Sequence, residues 1–504
     1  MIDHFYKNEN SRTNYARTAE LIMLKAFDDI VGPENLEKIV FEFSMNGNYF
    51  IYPKYTKAFK ETLNKDKINE IIRKVWMKMH DYIEADLPIT KKIMRVDAAI
   101  NMFKERHMDD VAKLLSFRRT SKVNLTCFEG YEVYLYGAVA NSSGAIRSFD
   151  LHPYKNGFFL MLPEPDDPDA LLDIDLIENL FEAQADAYRL AHMLDIENIA
   201  DLNERICAGK TTEVILTCES IFDNQLNKVA NEVISSGKKF VFLAGPSSSG
   251  KTSTANRLSF ALRTYGIIPK VISADDYYLD YANRKLDENG NPDFESIEAL
   301  DLLKFNDDMI ALLNGETIEL PYYNFKTGKR EYRGEMLNLG SKNILIVEGI
   351  HCLNERFSWA IPHDQKYKVC VSALPPLNID ENNRITSTDL RLLRRLVRDE
   401  RSRAYGAAMT LQRWPDVRRG EEANIFPFTK DADAILNTAI IYELAVLKPY
   451  AERILFSVPR DSDEYFKAKE LLKILDFVIP ITTEQIPPHS IVREFIGGSC
   501  LSVG

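Results

Sequence analysis

The octapeptide Gly245-Pro246-Ser247-Ser248-Ser249-Gly250-Lys251-Thr252 constrains this chain more than any other stretch. It fits the pattern G-x-x-x-x-G-K-[ST]. It follows an apolar run, Lys239 to Ala244, and precedes an amphipathic stretch, Thr252 to Tyr265. A strand feeding a glycine-rich turn and then a helix is the context the pattern needs. The glycines let backbone N–H groups turn inward around phosphate oxygens, Lys251 reaches the terminal phosphates, and the Thr252 hydroxyl can ligate Mg²⁺. The sequence therefore predicts a nucleoside triphosphate site, with ATP held by Gly245, Ser247, Ser248, Ser249, Gly250, Lys251, Thr252 and Ser253.

The chain has 504 residues, too many for one ordinary core, so two or three domains are expected. A hydrophobic share of 45% beside a charged share of 27% describes a globular protein. No apolar run is long enough to span a bilayer and the N-terminus lacks a signal-peptide core, so no membrane partner and a cytoplasmic location are expected. A net charge of −12 argues against broad nucleic-acid binding. The six cysteines have no C-x-x-C spacing and read as free thiols.

From Lys238 onward apolar strands (Phe240–Ala244, Lys270–Ser273, Ile344–Val347, Lys368–Val371) alternate with helices, the pattern of a parallel sheet covered on both faces. Residues 237–504 are thus expected to form an α/β P-loop domain. Residues 1–165 read as an α+β domain. It has helices over 11–30, 66–85 and 96–117, a hairpin at Asn46-Gly47, and strand-rich stretches over 123–136 and 146–162. Residues 166–236, beyond an acidic proline-bearing linker, read as a helical connector broken at Gly209.

Three further features suit phosphoryl transfer. Ligands of open parallel sheets sit at the carboxyl ends of strands. There Asp275, in Ser273-Ala274-Asp275-Asp276-Tyr277-Tyr278, can accept or orient the proton of an attacking hydroxyl; its alternative is a turn cap. Glu348, directly after a buried strand, can hold Mg²⁺ opposite Thr252 or close a salt bridge. In Asp389 to Glu400, Leu392, Leu393, Leu396 and Val397 form one helical face and Arg391, Arg394, Arg395 and Arg398 another, extended by Arg401 and Arg403. Guanidinium forks suit the spread charge of a transferring phosphoryl group. A salt-bridged lid helix is the other reading.

Together GPSSSGKTS (245–253), SADDYY (273–278), NPDFES (291–296), PYYNFKTGKR (321–330), VEGI (347–350) and RLLRRLVRDERSR (391–403) resemble the uridine kinase and phosphoribulokinase family in order and spacing. The resemblance implies an ATP- and Mg²⁺-dependent kinase that phosphorylates the 5′-hydroxyl of a nucleoside. Asp275 would be the base, and Lys251 and Arg398 would stabilise the transferring group. Asp293 would bind the ribose hydroxyls, Tyr278 and Tyr323 would shape the acceptor pocket, and Glu348 would serve the metal. Arg395 and Arg403 would contact phosphates on the acceptor and ATP sides. Two positions depart: Gly328 stands where the family places a pyrimidine-reading histidine, and Tyr405 where it places an arginine. The segment Gln412 to Glu422 has no counterpart, and closing over the ligands or docking the N-terminal domain are both open for it.

Residues 1–165 resemble the second additional domain of threonyl-tRNA synthetases, an editing module. The metal-binding histidines and cysteine of that module are replaced here, for example by Asn14-Tyr15-Ala16-Arg17-Thr18, so neither zinc nor editing is expected. Two other functions stay open: a kinase of another small alcohol such as a sugar phosphate, and an ATP-gated RNA-binding regulatory protein. Homo-oligomer formation is also left open.

Overall fold

The computed structural model describes residues 9–164, 167–174, 176–281, 295–403 and 405–501. At its centre five parallel strands run in the order Ala434–Asn437, Lys366–Ser372, Phe240–Ala244, Asn343–Glu348 and Ile268–Ser273. The continuous apolar runs make sense because alternate residues enter different cores. Val241, Leu243, Ile344, Ile346, Val369 and Val371 point into one buried cluster. Phe240, Phe242, Ala244, Leu345, Val347 and Cys370 point into another on the opposite face. The four strands expected from sequence are present, Phe240–Ala244 with the expected bounds and the other three a little longer. The fifth, Ala434–Asn437, was too short to announce itself, and the antiparallel hairpin Thr317–Asn324/Lys329–Asn338 was not anticipated.

The N-terminal region holds a four-stranded antiparallel sheet ordered Leu36–Met45, Asn48–Tyr55, Gly157–Met161, Asp150–Tyr154. Asn46 and Gly47 both take positive φ (47° and 80°), the geometry of a tight hairpin turn. The second hairpin turns one residue earlier than its Asn156-Gly157 pair suggested, on Lys155 at φ 48°. Helix Lys65–Glu84 is capped by the Asn64 side chain and buries Ile72, Val75, Met79 and Tyr82 at helical spacing against that sheet. The single helix expected over 96–117 is two, Val96–Glu105 and Asp109–Ser116, because His107 takes φ 58° between them. The connector becomes helical only at Glu178. It comprises Glu178–Met193, Ile199–Cys207 and Thr211–Ser236, and Gly209 and Gly237 take the left-handed conformation that ends its second and third helices.

The regions are not beads on a string. Phe103, Leu125, Tyr134 and Tyr136 from the N-terminal part share one buried cluster with Phe222 and Val233 of the connector and with Val241 and Leu393 of the parallel-sheet part. Asn383 ties this junction. Its amide donates to the Tyr134 carbonyl at 2.9 Å, and its side-chain oxygen accepts from the Tyr136 N–H at 2.5 Å. The six cysteines are free thiols, and no described helix is long and apolar enough to cross a membrane.

Candidate active site

The register of the parallel sheet decides what meets at its carboxyl edge. Glu348 lies opposite both Leu243 and Ser273, so the phosphate loop, the Ser273–Tyr278 turn and the end of the Glu348 strand share one edge. Gly245 leaves its strand so close to the neighbouring one that a Cβ there would lie 2.1 Å from the Val371 carbonyl oxygen, and only glycine fits. Ser248 (φ 58°) and Gly250 (φ 84°) curl the loop into the helix Lys251–Arg263. Lys251 folds back over the loop, donating to the carbonyls of Gly245 (3.0 Å) and Pro246 (3.3 Å). Thr252 Oγ1 donates to Glu348 Oε1 at 3.4 Å.

Glu348 is pushed up to about 7, first by loss of water and then by the charge of Asp275, with Lys251 opposing. Glu295 is also raised, mainly by burial, and feels Arg395, Glu421, Lys251 and Asp275. These acids and the lysine therefore form one electrostatic cluster around the loop. The neighbouring Asp276 has a separate job: its carboxylate accepts the Tyr323 N–H at 3.1 Å and pins the hairpin to the turn. Tyr278 and Tyr323 meet edge to face with ring centroids 5.5 Å apart, and Phe325 stands 5.0 Å from Tyr323. They make an aromatic wall beside Asp275. Asp293 lies outside the described residues.

On the arginine helix, Ser387–Ser402, the face formed by Arg391, Arg394, Arg395 and Arg398 is not solvated, while Arg401 at its end is exposed. Arg391 is 1% exposed and Arg394 fully buried, and both clamp the loop from behind. Arg391 donates to the Ser247 carbonyl (3.1 Å) and grips Glu421 with both nitrogens (2.5 and 3.0 Å). Arg394 donates to the Ser248 carbonyl (3.2 Å) and is paired with Glu443. Arg395 Nη1 donates to the Ser247 hydroxyl at 2.7 Å. Buried Asp399 gathers the other three, standing 3.2 Å from Arg395, 3.6 Å from Arg398 and 3.4 Å from Arg403. Burial pulls the pKa of both Arg395 and Arg398 down, which marks them as desolvated cations.

Four acids at this site escaped the sequence reading. Glu421, on helix Ala407–Asn424, accepts the Ser247 N–H at 2.9 Å. Glu494 accepts from both the N–H (3.3 Å) and the hydroxyl (2.6 Å) of Ser253, so that hydroxyl is engaged inside the protein. Glu295 and Asp399 complete the set. No local signal marks Glu421 and Glu494, because their loop partners lie far away in sequence; Asp399 has its arginines within four residues. Glu421 also resolves the Gln412–Glu422 segment. It packs on the phosphate loop, with Trp414 buried and its ring 5.4 Å from the Arg391 guanidinium. Gly328 is a hairpin-turn residue at φ 67°, and a Cβ there would lie 3.0 Å from that of Tyr281. Backbone geometry accounts for the glycine, and a histidine would be strained.

The loop runs into the N-terminus of helix Lys251–Arg263 with Lys251 folded over it, the setting that receives a polyphosphate, while Glu421 holds the Ser247 N–H. Thr252 and Glu348 supply one hydroxyl and one carboxylate. No group of three or more His, Cys, Asp or Glu among the described residues could hold an ion by itself. That donor set suits Mg²⁺, which keeps waters and phosphate oxygens as ligands.

Residues 240–443, less than half of the chain, match the model of the Phosphoribulokinase / Uridine kinase family, which agrees with the P-loop fold of this part. A uridine kinase of Halalkalibacterium halodurans is 28% identical over 203 residues, 40% of this chain and 87% of its own length. One from Staphylococcus carnosus is 27% identical over 195 residues, 38% of this chain and 84% of its own. Among solved structures, a possible uridine kinase from Bacillus stearothermophilus aligns over 42% of this chain and 98% of its own, with 18% identity and a TM-score of 0.29.

Proposed function

We propose that this protein transfers the γ-phosphoryl group of ATP to the 5′-hydroxyl of a ribonucleoside. The observation that carries this reading is the meeting of Asp275, Glu348, Lys251 and Thr252 at one sheet edge, flanked by the Tyr278–Tyr323 wall. A flat base suits that wall better than a phosphorylated sugar would, which ranks a nucleoside above another small alcohol.

Asp275 accepts or orients the proton of the attacking hydroxyl. Lys251 leaves its loop carbonyls to meet the terminal phosphates. Arg398 and Arg395, from positions already desolvated by the fold, and the exposed Arg403 neutralise charge that spreads over the phosphoryl oxygens. Thr252 and Glu348 would hold Mg²⁺, which offsets polyphosphate charge when bound. Arg391 and Arg394 keep the loop in shape. Asp293 is assigned to the ribose hydroxyls on its sequence context alone. The synthetase-like reading of residues 1–165 gives that region a supporting role, without zinc or editing chemistry.

A screen of ribonucleosides against γ-labelled ATP tests the proposal. Transfer to at least one 5′-hydroxyl, weaker with its 2′-deoxy form, is expected. No transfer to any nucleoside, combined with transfer to a sugar phosphate, would replace the acceptor. No transfer at all, combined with salt-dependent RNA binding, would replace the function.

A further inference from the structure

Far from the phosphate loop, three parts of the chain enclose a cavity of about 440 Å³, within the size range of small-molecule sites. Its floor is the face of the antiparallel sheet turned away from helices Glu9–Val31 and Lys65–Glu84. Lys38, Val40 and Glu42 come from one strand, and Phe50, Tyr52 and Lys54 from its hairpin partner. Glu42 follows Lys38 and Val40 at the strand period of two, and a bulge between Phe41 and Phe43 turns Phe43 onto the same face beside it. The connector helix Glu178–Met193 lays Phe181, Ala185 and Tyr188 over the sheet, and the kinase-domain segment Asn378–Glu381 closes one end.

The charge on these walls is uneven. Each lysine and arginine already has a carboxylate: Lys38 has Asp110 (3.0 Å) and Glu197 (3.2 Å), Lys54 has Glu37 (3.4 Å) and Arg189 has Asp186 (2.6 Å), and the His192 ring lies 2.5 Å from Glu197. Asp380 spends its carboxylate on the N–H groups of Asn382 and Asn383 and on the Asn383 amide. Two acids are left. Glu381 is only 7% exposed, and among the described residues its carboxylate makes no hydrogen bond or ion pair. The Glu42 carboxylate likewise has none; only its backbone is engaged, its carbonyl accepting from the Tyr188 hydroxyl. A carboxylate with little water and no donor is costly, and here half-buried Glu42 and buried Glu381, the latter within the field of Lys38, border one space beside aromatic rings.

We propose that this cavity binds a small organic cation, a primary amine or guanidinium head on an apolar body. The head would be held by Glu42 and Glu381 and the body by Phe50, Phe181 and Tyr188. An anion would meet the unpaired acids, and a neutral apolar ligand would leave them unsatisfied.

The test is calorimetric titration of the full chain in about 0.15 M salt, which screens non-specific attraction to an acidic protein. The probes are 1,4-diaminobutane and phenethylamine, each against its uncharged counterpart, 1,4-butanediol and phenethyl alcohol. At least one amine should bind saturably with Kd below about 1 mM, and neither alcohol should. Burial pushes Glu42 up to about 7 and Glu381 well above its ordinary range, so at pH 7 part of the Glu42 population and Glu381 carry protons. A bound cation favours their ionised forms, so binding at pH 7 should release protons, read by repeating the titration in buffers of different ionisation enthalpy. Glu42→Gln and Glu381→Gln should each weaken binding at least about tenfold. Absence of amine binding, equal binding of the alcohols, binding without proton release, or two folded Gln variants that bind like wild type would each overturn the proposal. The proton release is measured on the wild-type chain, so it decides the matter even if a variant fails to fold.

Discussion

Around the phosphate loop, Arg391 and Arg394 each arrive with a carboxylate supplied by another element, Glu421 and Glu443, and Arg395 with Asp399 one turn along its own helix. On the outer face of the antiparallel sheet, by contrast, Glu42 and Glu381 border a cavity with no cation to spare. The first arrangement is a set of buried ion pairs that fixes geometry before any ligand arrives, at the cost of desolvating both partners. The second leaves its two acids without a hydrogen-bonded cation, Glu381 feeling Lys38 only through its field. Charge that is already matched shapes a site for a ligand of either end of a reaction; charge that is unmatched asks for a ligand of the opposite sign.

The comparison can be broken most severely by separating the two regions. A fragment of residues 237–504 would lose Tyr134, Tyr136, Phe222 and Val233 from a cluster that includes Val241 and Leu393. It should lose its cooperative unfolding transition and aggregate. A monodisperse, fully active fragment by size exclusion and assay would show that the shared core does not matter. Lys251→Ala comes next. Removing the cation at the loop mouth should lower kcat by about 10³-fold while the thermal midpoint changes little, and kcat near wild type would sink the kinase assignment. Asp275→Asn should lower kcat by about 10²-fold or more with KM for ATP nearly unchanged. A rise in KM for ATP alone would move Asp275 to the nucleotide side.

The smallest effect concerns Glu348. Its raised pKa of about 7 means the folded protein holds a proton there that the unfolded chain has already lost. Ionising it therefore costs folded-state stability as pH rises from the ordinary carboxylate range through 7, and the penalty is in full force above that. Mg²⁺ needs the ionised form. Apparent Mg²⁺ affinity should fall about tenfold per pH unit below 7 and level off above it. A profile that stays flat from pH 5.5 to 8.5 would remove Glu348 from the metal.

The parallel sheet and its loop were legible because local rules encode them: continuous apolar strands, a glycine pattern, and a helix after the loop. The hairpin at Asn46-Gly47 was legible for the same reason. Strand Ala434–Asn437 was not, since four residues carry no periodicity, and the break at His107 needed a positive φ that histidine does not advertise. At the site, Lys251, Thr252, Asp275 and Glu348 could be named because strand ends gather ligands. Glu421 and Glu494 could not, because their roles depend on partners 174 and 241 residues away. Arg391 and Arg394 were legible as arginines near phosphate, but their helical face gave no hint that acids would bury them.

The bond between Ser253 and Glu494 has a bearing on how the molecule is made. A ribosome emits the phosphate loop long before it emits the carboxylate that holds the first turn of the following helix. Glu421 and the arginine helix also follow well after the loop. Contacts of such sequence separation form late. During synthesis the loop must therefore wait, its N–H groups unclamped, until residues 490–496 have left the exit tunnel. Stalled nascent chains ending before residue 490 should be cut by protease within the loop even with ATP present. Chains extended about 40 residues past Glu494, enough to clear the tunnel at roughly 3.3 Å per extended residue, should resist.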